Sequence, residues 1–162
     1  MMLLPHDLDR IDLNILASLQ DYGRMTVSEL SGIVGLSSSP CIHRIRRLED
    51  AGYITGYGAI LNPAALGEIV TVFTKVTLAG HRRADFSRFV ALTHNVDEIT
   101  ECHLISGGYD YLLKFMTRSV RHYQRIIEGL IEAECGIERY FSYVVIKSPI
   151  IGRPCNIRKL VP

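Results

Sequence analysis

Residues 26–61 read TVSELSGIVGLSSSPCIHRIRRLEDAGYITGYGAIL, and the order of signals within them decides the fold. Thr26-Val27-Ser28-Glu29 has the spacing of a capping box, in which the threonine hydroxyl accepts from a first-turn amide and the glutamate reaches back to the cap. A helix should begin there, with Leu30, Ile33 and Val34 on one face, and Gly35 gives the chain the backbone freedom to leave it. Ser37 is a good N-cap for a second helix, Pro40 sits in a first turn where its missing amide proton costs little, and Gly52 marks the end. At about 3.6 residues per turn, Cys41, Ile42, Ile45, Leu48 and Glu49 fall on one side of that helix. Ser39, Pro40, His43 and Arg47 point the other way, with Arg44 and Arg46 flanking them.

A cationic run on an exposed helix is, by itself, more often a solvated surface than a nucleic-acid surface. A short capped helix, a tight turn and then the cationic helix is a more specific pattern, because that arrangement reads the major groove of DNA. Arginine grips phosphate or chelates guanine through two parallel hydrogen bonds. Ahead of Thr26, Leu8, Ile11, Ile15, Leu16 and Leu19 recur at helical spacing after Asp7 and Asp9, and Gly23 closes the run, making a three-helix head. After Gly52, the stretch Tyr53 to Leu61 alternates loosely around Gly56 and Gly58, as a small wing hairpin would.

Net charge supplies no argument of its own. The first 61 residues hold five Lys/Arg against seven Asp/Glu, a formal −2, while the whole chain stands at +1. The acids Asp7, Asp9, Asp12 and Asp21 belong to the first predicted helix, and Arg44, Arg46 and Arg47 are concentrated in the third, so a local patch is still able to attract phosphate. After Glu138 the chain has only basic charges: Arg139, Lys147, Arg153, Arg158 and Lys159.

With 162 residues, 48% hydrophobic and 22% charged, the composition is that of an ordinary soluble protein of one domain or two small ones. No apolar run approaches the roughly 18 to 20 residues of a membrane span, and Met1 to Leu4 is too short for the apolar part of a signal peptide, so a cytoplasmic protein without a membrane partner is expected. Cys41, Cys102, Cys135 and Cys155 are scattered, without metal or redox spacing. Cys41 and Cys102 read as buried filler. The six histidines show no recurrent ligand spacing, and no metal or cofactor is expected.

Asn62-Pro63-Ala64-Ala65-Leu66-Gly67 breaks the periodicity and is the best domain boundary. Beyond it, strand patterns at Ile69–Leu78, Ile99–Ile105, Tyr111–Phe115 and Ile137–Ile146 alternate with helical patterns at Arg82–Thr93 and from Ser119 onward. The order βαββαβ is that of a ferredoxin-like α+β domain, an antiparallel sheet with helices on one face. The bare face needs a cover, and a second copy is the simplest one. The expected layout is a winged helix-turn-helix domain over 1–61, a linker over 62–68, a ferredoxin-like domain for effector binding and oligomerisation over 69–148, and a basic tail over 149–162. Pro149, Gly152, Pro154 and Pro162 favour a flexible terminus, although Ile150 and Ile151 could cross onto a neighbouring subunit.

Leu36-Ser37-Ser38-Ser39-Pro40-Cys41, Arg44, Leu48-Glu49, Gly52, Ile54 and Gly56-Tyr57 resemble the helix-turn-helix and wing of the leucine-responsive regulator family (Lrp/AsnC). Glu101-Cys102 and Ser106-Gly107-Gly108-Tyr109-Asp110-Tyr111, within the βαββαβ order, resemble its effector-sensing half, so the resemblance spans residues 7–148. It implies a transcriptional regulator that binds twofold-symmetric promoter DNA as a dimer, assembles to tetramers or octamers, and binds an amino acid or related metabolite between subunits. Carried onto this chain, the DNA-contacting residues are Ser37, Ser38, Ser39, Pro40, His43, Arg44, Arg46 and Arg47. The effector turn is Ser106, Gly107, Gly108, Tyr109, Asp110 and Tyr111.

That turn also has a reading from its residues. Gly107 and Gly108 leave amides open to an approaching group, and Asp110 could accept from an α-ammonium, so a zwitterion is chemically plausible. Gly-Gly-Tyr-Asp is equally a natural hairpin turn. Glu101 and His103, two apart on one strand, share a face and either border a pocket or form a structural pair. Two other functions compete: a ligand-independent architectural DNA-binding protein of the same fold, and an enzyme. The second is disfavoured because no nucleophile with a base, phosphate loop or metal cluster is visible.

Overall fold

A computed structural model of the chain describes residues 8–160. Asp7 and Pro162, both used above, lie outside the described residues. The chain divides into two compact units, one ending at Leu61 but rejoined by the chain from Ile150, the other running from Asn62 to Pro149.

The first unit is built on α1 (Arg10–Tyr22), α2 (Val27–Val34) and α3 (Ser38–Asp50). Both expected ends of α2 are formed: the Glu29 amide donates to Thr26 Oγ1 at 3.2 Å, the Thr26 amide donates to Glu29 Oε2 at 2.7 Å, and Gly35 leaves in the left-handed region at φ 70°. α3 ends in the double turn that a left-handed Gly52 permits, with the Gly52 amide donating to the Glu49 carbonyl and the Tyr53 amide to the Leu48 carbonyl. Ile15, Leu30, Val34, Cys41 and Leu48 form the buried centre. Three residues assigned to inner faces are not inner, since Ile33 is 55% exposed, Ile42 37% exposed and Glu49 exposed as well, because short helices in a three-helix unit bury only a narrow stripe. The expected wing hairpin is absent from the single chain, since residues 54–62 carry no strand or ladder. Tyr57 in that segment instead donates its hydroxyl to Glu49 Oε1 at 2.8 Å.

The second unit follows the expected βαββαβ order: β1 (Val70–Leu78), α4 (Arg83–His94), β2 (Ile99–Leu104), β3 (Tyr111–Thr117), α5 (Val120–Glu132) and β4 (Ile137–Val144). The sheet is antiparallel in the order β2-β3-β1-β4. Alternation along the central strands puts Val72, Thr74, Val76 and Leu78 of β1, and Tyr111, Leu113, Phe115 and Thr117 of β3, on one buried face. Phe89 of α4 and Tyr123, Ile127 and Leu130 of α5 complete that core. Thr74, fully buried, shares a hydrogen bond of 2.8 Å with the Tyr123 hydroxyl, which also bonds Ser142 of β4, so a polar thread crosses the core with its groups satisfied. Cys135 and Cys41 are buried, but Cys102 is exposed, because it sits on the edge strand β2, which lacks cover.

The tail does not behave as a loose terminus. Ile157–Lys159 forms a short 3-10 turn packed on α1.

Candidate nucleic-acid interface and effector turn

α3 displays most of the residues expected to meet DNA. Ser37, Ser38, Ser39, Pro40, His43, Arg46 and Arg47 are all exposed, and Ser37 stands at the N-cap without a capping bond from its side chain. Among the described residues no helix-capping bond occupies those hydroxyls, and their positions at the start of α3 suit base edges or phosphate.

Arg44 is placed differently. Its Nη1 donates to Asp9 Oδ2 at 2.6 Å and to Asp12 Oδ1 at 2.8 Å, leaving the side chain 27% exposed. Arg47 reaches the second oxygen of the same Asp12, whose carboxylate is fully buried, yet keeps a side-chain exposure of 53%. The capping box at the start of α1 orients both acids: the Asp12 amide donates to Asp9 Oδ1 at 2.8 Å and the Asp9 amide to Asp12 Oδ2 at 3.0 Å. Burial pushes Asp9 up, but the Asp12 amide and the Arg44 guanidinium outweigh it and hold the acid below its ordinary range. Bonds to Asp9 and then Asp12 raise Arg44 in turn. The acids of the first helix and the arginines of the third, separate in sequence, therefore form one network. The one local signal of this pair in the sequence is the Asp-x-x-Asp spacing ahead of an apolar run, a capping signature.

In the sheet unit, Ser106, Gly107 and Gly108 are exposed at the turn between β2 and β3. Asp110 is committed within the chain: its Oδ2 accepts the Leu78 amide at 2.7 Å, and its Oδ1 lies 3.0 Å from His81 Nε2. These contacts tie the carboxylate to the fold, while its two oxygens, with about four acceptor positions, keep room for a further donor. The expectation for Tyr111 is corrected. It is 4% exposed, its ring 4.5 Å from that of Phe89, in the core because odd-numbered positions of β3 face the helices. Tyr109 is half-buried, with Lys75 Nζ 5.1 Å from its ring and 5.1 Å from that of Tyr143.

Glu101 and His103 share a face of β2 as expected, with His103 Nε2 3.2 Å from Glu101 Oε2. Lys114 of β3 donates to Glu101 Oε1 at 2.6 Å. That bond, followed by the one from His103, holds Glu101 below the ordinary glutamate range. The glycines are more telling. Neither Gly107 nor Gly108 adopts a positive φ, and a Cβ on Gly108 would meet nothing within 4 Å. The turn's own geometry does not demand glycine there.

Residues 8–55 match the family described as winged helix-turn-helix DNA-binding, and residues 71–154 match the Lrp/AsnC ligand binding domain. The chain belongs to the Lrp/AsnC family of transcriptional regulators. It is 47% identical over 147 residues to the transcriptional regulatory protein DoeX of Halomonas elongata, covering 91% of this chain and 92% of that protein. It is 43% identical over 141 residues to the leucine-responsive regulatory protein of Escherichia coli, covering 87% of this chain and 86% of that one. Among solved structures, a transcriptional regulator of Neisseria meningitidis in complex with L-Met superposes with a TM-score of 0.86 at 29% identity, covering 94% of this chain and 99% of that chain. The α+β architecture of a DNA-binding head and a ferredoxin-like half is thus the family's own. Among the described residues, no helix is long and apolar enough to cross a membrane.

Proposed function

We propose that this Lrp/AsnC regulator is a cytoplasmic, non-enzymatic protein that reads a twofold-symmetric promoter site as a dimer or higher assembly and responds to an amino acid or related metabolite. Ser37, Ser38, Ser39, Pro40, His43, Arg46 and Arg47 make the DNA contacts. Arg44, tied to Asp9 and Asp12, aims α3 against α1 instead of reading bases. Arg47 does both, with one nitrogen on Asp12 and the rest of its fork turned to solvent.

What carries the effector reading is the exposed Ser106-Gly107-Gly108 turn inside the stretch that matches the Lrp/AsnC ligand binding domain. A glycine pair needed neither for φ nor for packing leaves room for an incoming group against exposed backbone amides. The L-Met complex of the Neisseria relative supports an amino acid as that group. Asp110 and Tyr111 hold the turn in place, and Ser106, Gly107, Gly108 and Tyr109, with Glu101 and His103 on the neighbouring strand, are the residues offered to a ligand or subunit. The bare sheet face supports the dimer, since Phe141 is 54% and Tyr143 49% exposed there.

The test is the melting temperature of the full chain against the twenty amino acids, repeated with Gly108→Val. A selective rise in the wild type, lost in the variant whose unliganded melting point is unchanged, is the expected result. An unselective or absent response would favour the architectural, ligand-independent reading, which the internal commitment of Asp110 already makes worth testing.

A further inference from the structure

We propose that the C-terminal tail, residues 150–160, is a working part of the DNA-binding unit, laying a strip of cations on the head that contacts the DNA backbone. The inference rests on the DNA-binding reading and adds an interaction surface to it.

Three observations meet here. First, the tail is docked by specific contacts. Arg158 Nη2 donates to Asn14 Oδ1 at 2.9 Å, Gln20 Nε2 lies 3.7 Å from Cys155 Sγ, and the Ile157–Lys159 turn packs on α1. Second, apolar side chains of the tail line an open groove of the head, with Leu160 itself 69% exposed. Ile157 and Leu160 form one wall of a groove of about 1290 Å³ whose other walls are Leu16 and Leu19 of α1 and the segment through Ile54 and Ile60 that follows α3. The tail therefore flanks the stretch that leaves the recognition helix. Third, its charge is one-sided. The head on its own is formally −2, and Arg153, Arg158 and Lys159 bring the unit to +1.

Sign matters because phosphate binding is driven by release of condensed counterions, which only neutralising cations achieve. Within the head, the Arg44 charge is spent on Asp9 and Asp12 and that of Arg47 is shared with Asp12, so much of the cationic supply on α3 is committed internally. Arg153 and Lys159 are exposed and, among the described residues, in no ion pair. Arg158 has the anchoring role through Asn14, leaving its two neighbours as the phosphate contacts. A tail that merely sealed the groove would need Ile157 and Leu160 but no run of cations without a single acid.

The experiment measures affinity by fluorescence anisotropy across a salt series, using a labelled duplex selected from random DNA by the full chain. Arg153→Gln with Lys159→Gln keeps the anchor and the chain length. At about 0.9 units of slope per phosphate contact, the plot of log affinity against log salt should become shallower by about 2 per chain, with the light-scattering mass unchanged. Exchanging the two cations, Arg153→Lys with Lys159→Arg, should keep the wild-type slope. An unchanged slope in the Gln variant overturns the proposal while leaving DNA binding by α3 intact. A slope change that appears only with a changed assembly mass overturns it equally, since the tail would then act through subunit contacts. Failure of the wild-type chain to select any duplex would instead defeat the DNA-binding reading itself.

Discussion

The two units handle their polar and apolar surface in opposite ways. The helical head closes its chemistry within one chain: Asp12 is wholly buried, its carboxylate is shared by Arg44, Arg47 and a cap amide, and α1 and α3 are fixed by that sharing. The sheet unit closes only half. The buried face is filled by α4 and α5, while β2 and β4, the edge strands, are exposed beyond their first residues, Ile99 and Ile137. A surface that must present an invariant constellation to DNA benefits from internal ties. The sheet face leaves Phe141 and Tyr143 about half exposed, which is the surface the proposed dimer would use.

Breaking the tie in the head should give the largest effect. Asp12→Ala removes the acceptor for two guanidinium groups and a cap amide, and should cost about 3 kcal/mol, the lower end for a buried pair because both arginines reach solvent. Urea unfolding measures this, and a loss below about 1 kcal/mol would show that the network does not hold α1 to α3. DNA affinity should fall as well, although Asp12 is not among the exposed residues of the DNA surface.

On the sheet side the corresponding change acts between chains. Phe141→Asp places a charge on the bare face, opposite Lys75 in the strand register, and should raise the dimer dissociation constant tenfold or more, about 1.4 kcal/mol. The folding stability of the separated chain should move by less than about 0.5 kcal/mol, as for an exposed site. Light scattering over a dilution series, alongside urea unfolding, distinguishes the two, and a variant that stays associated would remove this face from the interface.

The smallest effect concerns pH. Lys114, then His103, holds Glu101 below its usual value of 4.5, so the folded state is favoured by this acid above that value and loses the contribution as pH falls through the depressed folded pKa. Lys114→Met should return Glu101 toward 4.5 in a carboxyl NMR titration and cost less than about 1 kcal/mol at neutral pH, since the pair is partly exposed. Done in the Phe141→Asp background, it tests the single chain. An unmoved titration would show that the lysine is not what depresses the acid.

Much of this was legible in the residues because it is local. Thr26 and Glu29 are three apart, Gly35 and Gly52 end their own helices, and the alternation along β1 needs no partner to be recognised. What stayed hidden involves distance along the chain. Arg44 and Arg47 read as outward cations until Asp12, 32 and 35 residues away, is brought beneath them. Asp110 looked like a solitary acceptor until Leu78 and His81, 32 and 29 residues away, were brought against it. Tyr53 to Leu61 had the pattern of a hairpin, but pattern alone supplies no ladder partner, and none forms within the chain.

The sequence by itself determined the order of elements, the DNA-reading helix and the family, because caps, periodicity and glycine placement act over a few residues. Tertiary structure alone decided which charges remain available to a ligand. It tied Arg44 and Asp110 into the fold and folded the basic tail back onto α1, because an ion's availability depends on what the rest of the chain sets within about 3 Å of it.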